Sequence, residues 1–503
     1  MAPIGACGRQ VTSDISAVEA GLMLFNSYVF ILVFLPLTLA GFFLIAQWHS
    51  QRLAKFWLTL ASYCFYAYWN PAYLPLLLGS VVVNFYCGSA ITRAVRGSVR
   101  SRSLLVLGVG GNLALLGYYK YAGFLVITAN SVAGLDAAIP NIILPLGISF
   151  YTFTQIAYLV DAYREDLRHY DFLSYNLFIN FFPQLIAGPL LLHSELMPQL
   201  QEKNFYRFNA DSFSLGLIWF GLGLAKKVLL ADEVSSLVAP VFDHAEDANF
   251  VEAWLGVLAY TLQLYFDFSG YSDMAIGLGL MFGLRLPVNF NSPYKAISII
   301  DFWRRWHMTL SRFLRDYLYI ALGGNRSGPS RRYVNLMLTM LLGGLWHGAG
   351  WSFVIWGALH GAYLMINHGW RQLGIRLPTP LAWLFTFSAV VVGWVFFRAQ
   401  TASDAMHLLA TMGGAQGFAL PQGLERVLAG WLPEGVKFVN HTGGISDLLL
   451  VALLLVCVVG LPNTQQILAG FQARRRWAIG GGVLAAVSLM SMNRVSEFLY
   501  FQF

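Results

Sequence analysis

Charge is what this sequence has least of. Asp, Glu, Lys and Arg together make up 11% of the residues, against about 25% in soluble globular proteins, and no long polar stretch separates the apolar ones. A water-soluble domain is excluded, and the mean hydropathy of +0.59 points to lipid as the solvent. Cysteine is nearly as scarce. Cys64, Cys87 and Cys457 lie within apolar runs and Cys7 near the start, without the spacing of a disulfide framework or a metal site. No P-loop, nucleophile elbow or metal-ligand motif is visible, and no low-complexity tract or repeat of fixed period. The formal net charge of +7 belongs to the loop bias of membrane proteins and does not imply nucleic acid.

Residues 1–22 carry Asp14 and Glu19 and lack the basic start and apolar centre of a signal peptide. They read as a polar extension, with residues 23–503 as one membrane domain. Apolar runs long enough to span a bilayer as helix recur from there onward, and backbone facing lipid must be helical because nothing else there satisfies its polar groups. The expected fold is therefore all-α and polytopic. The first runs cover residues 25–47, 56–69 and 74–91. A basic segment with Arg93, Arg96, Arg100 and Arg102 follows, which places that loop in the cytoplasm and the N-terminus outside.

Nine further runs follow, at 104–135, 142–163, 172–192, 213–230, 251–282, 334–367, 381–397, 448–461 and 478–492, giving about ten to twelve crossings. Two prolines inside the run around Pro183 and Pro189 predict a broken or re-entrant element. Residues 401–444 read as a structured loop with surface helices.

Two segments concentrate chemistry. The first, residues 301–319, is the most charged stretch beside the membrane core. As a single helix it would place Trp303, Trp306, His307, Leu310, Phe313, Leu314 and Tyr317 on one side, and Arg304, Arg305, Ser311, Arg312, Arg315 and Asp316 on the other. Such a helix lies at the headgroup level. Its arginines either anchor it there or bind an anionic donor through guanidinium–phosphate pairs.

The second segment, residues 333–370, has no Asp, Glu, Lys or Arg. As one straight helix its 38 residues would be about 57 Å long, nearly twice the hydrocarbon thickness. It must break, and the glycines around His347 mark where. An imidazole can be neutral at pH 7 and still accept a proton, so His347 is a candidate general base, with a packed hydrogen-bonding role as the other reading. His360 and His368 lack the glycine break and are expected to be structural. Asp267 and Asp273, in an apolar run, read as a proton relay or as capping partners, and a relay would suit a proton-coupled exporter.

The strings LPLGISFYTFTQIAYLVDAYR from Leu144, AGP from Ala187, YFDFSGYSDMAIG from Tyr265, SPYKAISIIDFWRRWHMTLSRFLRDYLYIALGGNR from Ser292 and LLGGLWHGAGWSFVIWGALHG from Leu341 resemble the membrane-bound O-acyltransferase superfamily. Within it they look like the branch of the alginate O-acetyltransferase membrane subunit and its cellulose-acetylating relatives, as does the end FLYFQF. The D-alanylating branch resembles this chain less.

The resemblance implies helices around a central tunnel, with His347 of the Trp-His-Gly motif and the upstream His307 as catalytic residues. Arg304, Arg305, Arg315 and Trp346 are the expected substrate-binding residues. It further implies a bacterial cytoplasmic membrane and transfer from cytosolic acetyl-CoA, a donor substrate rather than a cofactor, to an extracytoplasmic partner protein or polysaccharide. A proton-coupled glycan exporter, a D-alanyl transferase and a non-catalytic scaffold are the competing readings.

Overall fold

A computed structural model describes residues 23–164, 170–326, 328–425, 431, 437–439, 443–492 and 499. The polar extension at 1–22, Cys7 and most of the FLYFQF terminus lie outside these residues. Helices make up nearly all the regular structure, and the strands among the described residues are Ala419–Pro421 and Lys437–Val439, paired in parallel. The chain is all-α.

Five helices among the described residues are long and apolar enough to cross a membrane: Phe30–Trp48, Pro71–Arg93, Val99–Ala133, Ala210–Ser235 and Thr379–Arg398. On the first three, side chains such as Leu32, Leu37, Val83, Leu107 and Leu125 are exposed, which is stable only where the surrounding solvent is as apolar as leucine. Other runs fold into shorter pieces. The run at 448–461 becomes Ile445–Gly460, and the run at 172–192 breaks into Phe172–Asn180 and Phe182–Leu185 before an irregular stretch through Pro189. The break expected at the two prolines is present.

The described residues divide into two compact units interleaved along the chain, where one membrane domain is the expectation from sequence. One unit takes in the described residues of Met1–Gly221, Met274–Pro287 and Ala473–Phe501, and the other those of Leu222–Asp273 and Val288–Gln472. Two of the changes of unit have no polar linker, because there the chain passes from one to the other inside the helices Ala210–Ala225 and Phe250–Met281.

The first unit is held by aromatic packing and by buried polar groups that satisfy one another. Phe25, Phe30, Phe65 and Phe182 meet with ring centroids 4.9 to 6.5 Å apart. Asn84 donates to Asn112 Oδ1 at 3.2 Å and to Gln155 Oε1 at 3.0 Å, tying three helices. In a low-dielectric interior such amides serve as specific connectors, since an unpaired one would be costly.

The second unit contains both chemistry-bearing segments. Its centre is the hairpin of Gly328–His347 and Trp351–Gln372. The two helices run antiparallel and touch backbone to backbone. A Cβ at Gly344 would fall on the Phe353 carbonyl oxygen, and one at Gly357 on that of Met340. The uncharged stretch thus breaks where the glycines predict, immediately after His347.

The single helix expected over residues 301–319 is not what forms. The chain makes a helix Ile299–Trp303, turns, starts again at Met308–Phe313 and continues as a wider π-helical turn Leu314–Tyr319. His307 is the hinge, with φ 42° and ψ 54° in the left-handed region. Outside glycine such a conformation costs about 1–2 kcal/mol and persists only when its surroundings enforce it. The division of faces survives the break in part: Trp306, His307, Leu310, Phe313 and Leu314 are buried and Arg304 and Arg315 exposed, whereas Trp303 and Tyr317 are half-buried, as are Arg305, Ser311, Arg312 and Asp316.

Candidate active site

The turn at His307 is fixed by an extended stretch before it. The Met308 amide donates to the Asn289 carbonyl at 2.9 Å, and the Asn291 amide to the Arg305 carbonyl at 2.9 Å. The Asn289 side chain then organises what the turn presents. Its Oδ1 lies 3.1 Å from His307 Nδ1 and accepts from Thr309 Oγ1 at 3.0 Å and the Thr309 amide at 3.3 Å. Its Nδ2 donates to Ser272 Oγ at 3.2 Å. Because Oδ1 is an acceptor, His307 carries its proton on Nδ1, and Nε2 is the acceptor nitrogen of the neutral ring.

His307 lies outside the five membrane-spanning helices and is fully buried, with Phe268 packed edge-on at 4.8 Å. Burial pushes its imidazole down to about 3, so it is neutral at physiological pH. It is suited to hydrogen bonding rather than to carrying a charge.

His347 is the last residue of Gly328–His347 and is buried. Its neighbours are rings: Trp346 at 4.9 Å, Trp356 at 5.1 Å and Phe397 at 5.2 Å, all nearly perpendicular to it. The His307 and His347 rings are 6.5 Å apart between centroids, and Trp346 lies 6.3 Å from His307. The structure therefore brings together His307, Trp346 and His347, residues up to 40 positions apart in sequence. Two nitrogen-bearing rings at this separation are close enough to act on the same group.

The arginines are placed differently. Arg305 donates to Asp301 Oδ1 at 2.8 Å and to the Asn291 carbonyl at 3.4 Å, and Arg315 pairs with Asp316 at 2.6 and 3.0 Å. Arg304 and Arg315 are exposed and Arg305 half-buried. Each arginine is close in sequence to the hinge, but Arg305 and Arg315 are occupied by carboxylates.

Asp267 and Asp273 are not open carboxylates either. Asp267 pairs with Lys227 at 2.7 Å, which also reaches Asp232 at 2.9 Å; Asp273 pairs with Lys226 at 2.6 Å and accepts from Thr464 at 2.6 Å. A relay or capping role is replaced by that of structural counter-ions, because a buried charge is tolerated only when paired. Composition hid the lysines, which stand at the end of an otherwise apolar run. One exposed trio, His244, Glu246 and Asp247, brings ligand atoms within 4.8 Å of one another, and nothing else there points to a ligand.

Sequence reasoning missed Asn289, Thr309, Trp356 and Phe397. Asn289 had one signal: a polar residue in the stretch leading into the charged segment, where the chain has to leave helix.

Known proteins resemble the chain over most of its length. The chain is 45% identical over 442 residues to a peptidoglycan O-acetyltransferase of Helicobacter pylori, covering 82% of this chain and 83% of that protein. It is also 45% identical over 402 residues to a probable alginate O-acetylase of Pseudomonas aeruginosa, covering 78% and 75%. A teichoic acid D-alanyltransferase of Bacillus subtilis is 29% identical over 280 residues, covering 52% of this chain and 70% of that protein. The model of the membrane-bound O-acyltransferase family matches residues 31–398, a span that contains both histidines and every element that positions them, and this chain belongs to that family.

Proposed function

We propose that this O-acyltransferase moves an acetyl group from cytosolic acetyl-CoA to a hydroxyl of an extracytoplasmic polysaccharide, directly or through a partner protein, in a bacterial cytoplasmic membrane. The acetylating relatives, matched over three quarters or more of the chain, favour acetyl over D-alanyl. The observation that carries the reading is the buried pair of imidazoles, His307 and His347, 6.5 Å apart at the break of an uncharged hairpin.

His347 is the base. It takes the proton of the acceptor hydroxyl as the oxygen attacks the thioester carbonyl, and the C–S bond breaks to release the thiolate, which is protonated in turn. The carbonyl end of its helix favours the positive charge it then carries. His307, held neutral and fixed by Asn289, orients the acceptor through its Nε2 lone pair. Trp346 forms the wall between the two. Arg304 is the donor-phosphate contact best supported by exposure, while Arg305 and Arg315 must exchange their carboxylate partners to take part.

A proton-coupled exporter is disfavoured by the ion pairs of Asp267 and Asp273, whose protonation would leave half-buried Lys226 without its carboxylate and buried Lys227 with Asp232 alone. Purified full-length protein supplied with radiolabelled acetyl-CoA should release CoA and pass label to an added glycan hydroxyl, and the His347→Ala variant should not. Intact donor after prolonged incubation with the wild-type protein, at normal yield and fold, would reject the proposal.

A further inference from the structure

His360 was expected to be an ordinary packed histidine, one whose ring nitrogens are satisfied by neighbours. It is fully buried, yet neither Nδ1 nor Nε2 has a hydrogen-bond partner among the described residues. The same is true of the indole nitrogens of Trp303 and Trp356. These three rings touch one another, with centroids 4.8 Å apart for Trp356–His360, 5.2 Å for Trp303–His360 and 5.8 Å for Trp303–Trp356.

The triangle draws on three parts of the second unit: Trp303 ends the helix before the His307 hinge, Trp356 and His360 are one turn apart on Trp351–Gln372, and Thr379–Arg398 closes it. At the closure stands Gly393. A Cβ there would lie 2.9 Å from His360 Nε2 and 3.5 Å from Trp356 Nε1, so the glycine keeps that face of both nitrogens free of side chain. Trp356 also packs against His347 at 5.1 Å.

Buried polar atoms are almost always hydrogen-bonded, and a cluster of four without protein partners calls for a ligand. The chemistry of the cluster limits what that ligand is. An indole offers only a donor, and a neutral imidazole one donor and one acceptor. The cluster thus has a surplus of donors and no charge, which suits an uncharged acceptor oxygen and repels a cation.

We propose that Trp303, Trp356 and His360 form a buried site for one hydrogen-bond-accepting oxygen beside His347, and that His360 is a further binding residue of the transferase. This rests on the acyl-transfer reading. The oxygen belongs either to the acyl group being transferred or to an ordered water that keeps the cluster in place.

His360→Phe preserves a planar ring and removes both nitrogens, and His360→Asn restores a donor and an acceptor with a worse fit. The experiment compares acetyl-CoA turnover and thermal unfolding midpoint of full-length wild-type, His360→Phe and His360→Asn protein in detergent. The expected result is a loss of turnover of about tenfold or more in His360→Phe, in the range of a lost hydrogen-bonding group at a reaction centre, with part of it recovered in His360→Asn.

If the midpoint of His360→Phe is unchanged or raised, the oxygen is the substrate's; if it falls by about 2 °C or more and His360→Asn recovers it, the oxygen is a resident water. Wild-type turnover in His360→Phe overturns the proposal, as does an Asn variant worse than the Phe variant in both measures, which would mean packing alone. Should His360→Phe fail to fold, Gly393→Ala takes its place: its methyl group crowds His360 Nε2 without altering a ring, and undiminished turnover there overturns the proposal equally. If the wild-type protein turns over no acetyl-CoA, the acyl-transfer reading fails separately, and the site is then judged by the midpoint, with a His360→Phe variant as stable as wild type counting against it.

Discussion

The two histidines of the site are held by opposite means. His307 sits in the most charged segment beside the membrane core and is fixed by hydrogen bonds: a left-handed turn whose strain is offset by Asn289, which engages His307, Thr309 and Ser272 through one side chain. His347 sits in a segment with no acid, lysine or arginine and is fixed by shape. Its helix ends because the partner helix is packed at glycine distance, and its ring is bounded by Trp346, Trp356 and Phe397. A hydrogen-bonded group is oriented but commits one nitrogen to its partner. A group walled by aromatic rings has the plane of its ring set by contact with its neighbours, which holds a base in place as it takes up and releases a proton.

The contrast is broken most directly at His347. Replacing it with Ala removes the base and leaves the glycine contacts of the hairpin in place, so the protein should insert and purify while turnover falls about 10²- to 10⁴-fold. Acetate incorporated per molecule of protein, at matched expression, measures it. A variant keeping more than about a tenth of wild-type turnover is incompatible with a base at this position and would move the chemistry to His307.

The hydrogen-bonded half should fail more gradually. His307→Ala should lower turnover by about tenfold or more and retain more activity than His347→Ala, since orientation rather than proton transfer is lost. Asn289→Ala leaves the Thr309 donors and His307 Nδ1 without their acceptor, at a cost of about 1–3 kcal/mol. It should reproduce much of the His307→Ala defect together with a lower unfolding midpoint. An Asn289→Ala protein with wild-type midpoint and turnover would show that the turn needs no such fastening.

The shape-held half has its own weak point. Gly357→Ala places a methyl group against the Met340 carbonyl oxygen, and backbone cannot move aside as a side chain can. Overpacking of this kind costs about 1–3 kcal/mol. The expected outcome is lower yield and a lower midpoint, with the surviving protein impaired in kcat rather than in donor KM because His347 is displaced. Gly369→Ala, with open space at its Cβ, is the control and should be neutral in both respects.

What was legible in the sequence followed from composition and from breaks in pattern. The scarcity of charge fixed the solvent and hence the helices, and a 38-residue apolar run that exceeds the bilayer located the hinge at His347 before any contact was known. Periodicity sorted the most buried and the most exposed of the 301–319 residues onto the right faces, because a short turn at His307 preserves which of these side chains point inward even though it ends the helix. Three features lay beyond reach, all of them pairings between distant positions. Asn289 meets His307 across 18 residues, Lys226 and Lys227 meet Asp273 and Asp267 across some 40 to 47, and Trp356 reaches both His347 and His360. A lysine at the end of an apolar run reads as a boundary, and only the fold shows it as a counter-ion.

The smallest effects should come from the charged surface of the His307 segment, where the two adjacent arginines differ. Arg305 is half-buried and engaged by Asp301 and the Asn291 carbonyl, whereas Arg304 is exposed. If Arg304 is the one that meets the donor's phosphates, Arg304→Gln should raise the KM for acetyl-CoA by up to about tenfold with kcat little changed, the pattern of a contact made equally in ground and transition states. Arg305→Gln should instead leave KM near wild type and lower the unfolding midpoint slightly, since a partly exposed ion pair contributes about 0.2–1 kcal/mol. Raising the salt concentration should weaken donor binding in the wild type and in Arg305→Gln more than in Arg304→Gln, because screening acts on the charge that remains. Equal KM values for the two variants, with equal salt dependence, would mean that neither arginine reads the donor and that both serve to hold the hinge at the membrane surface.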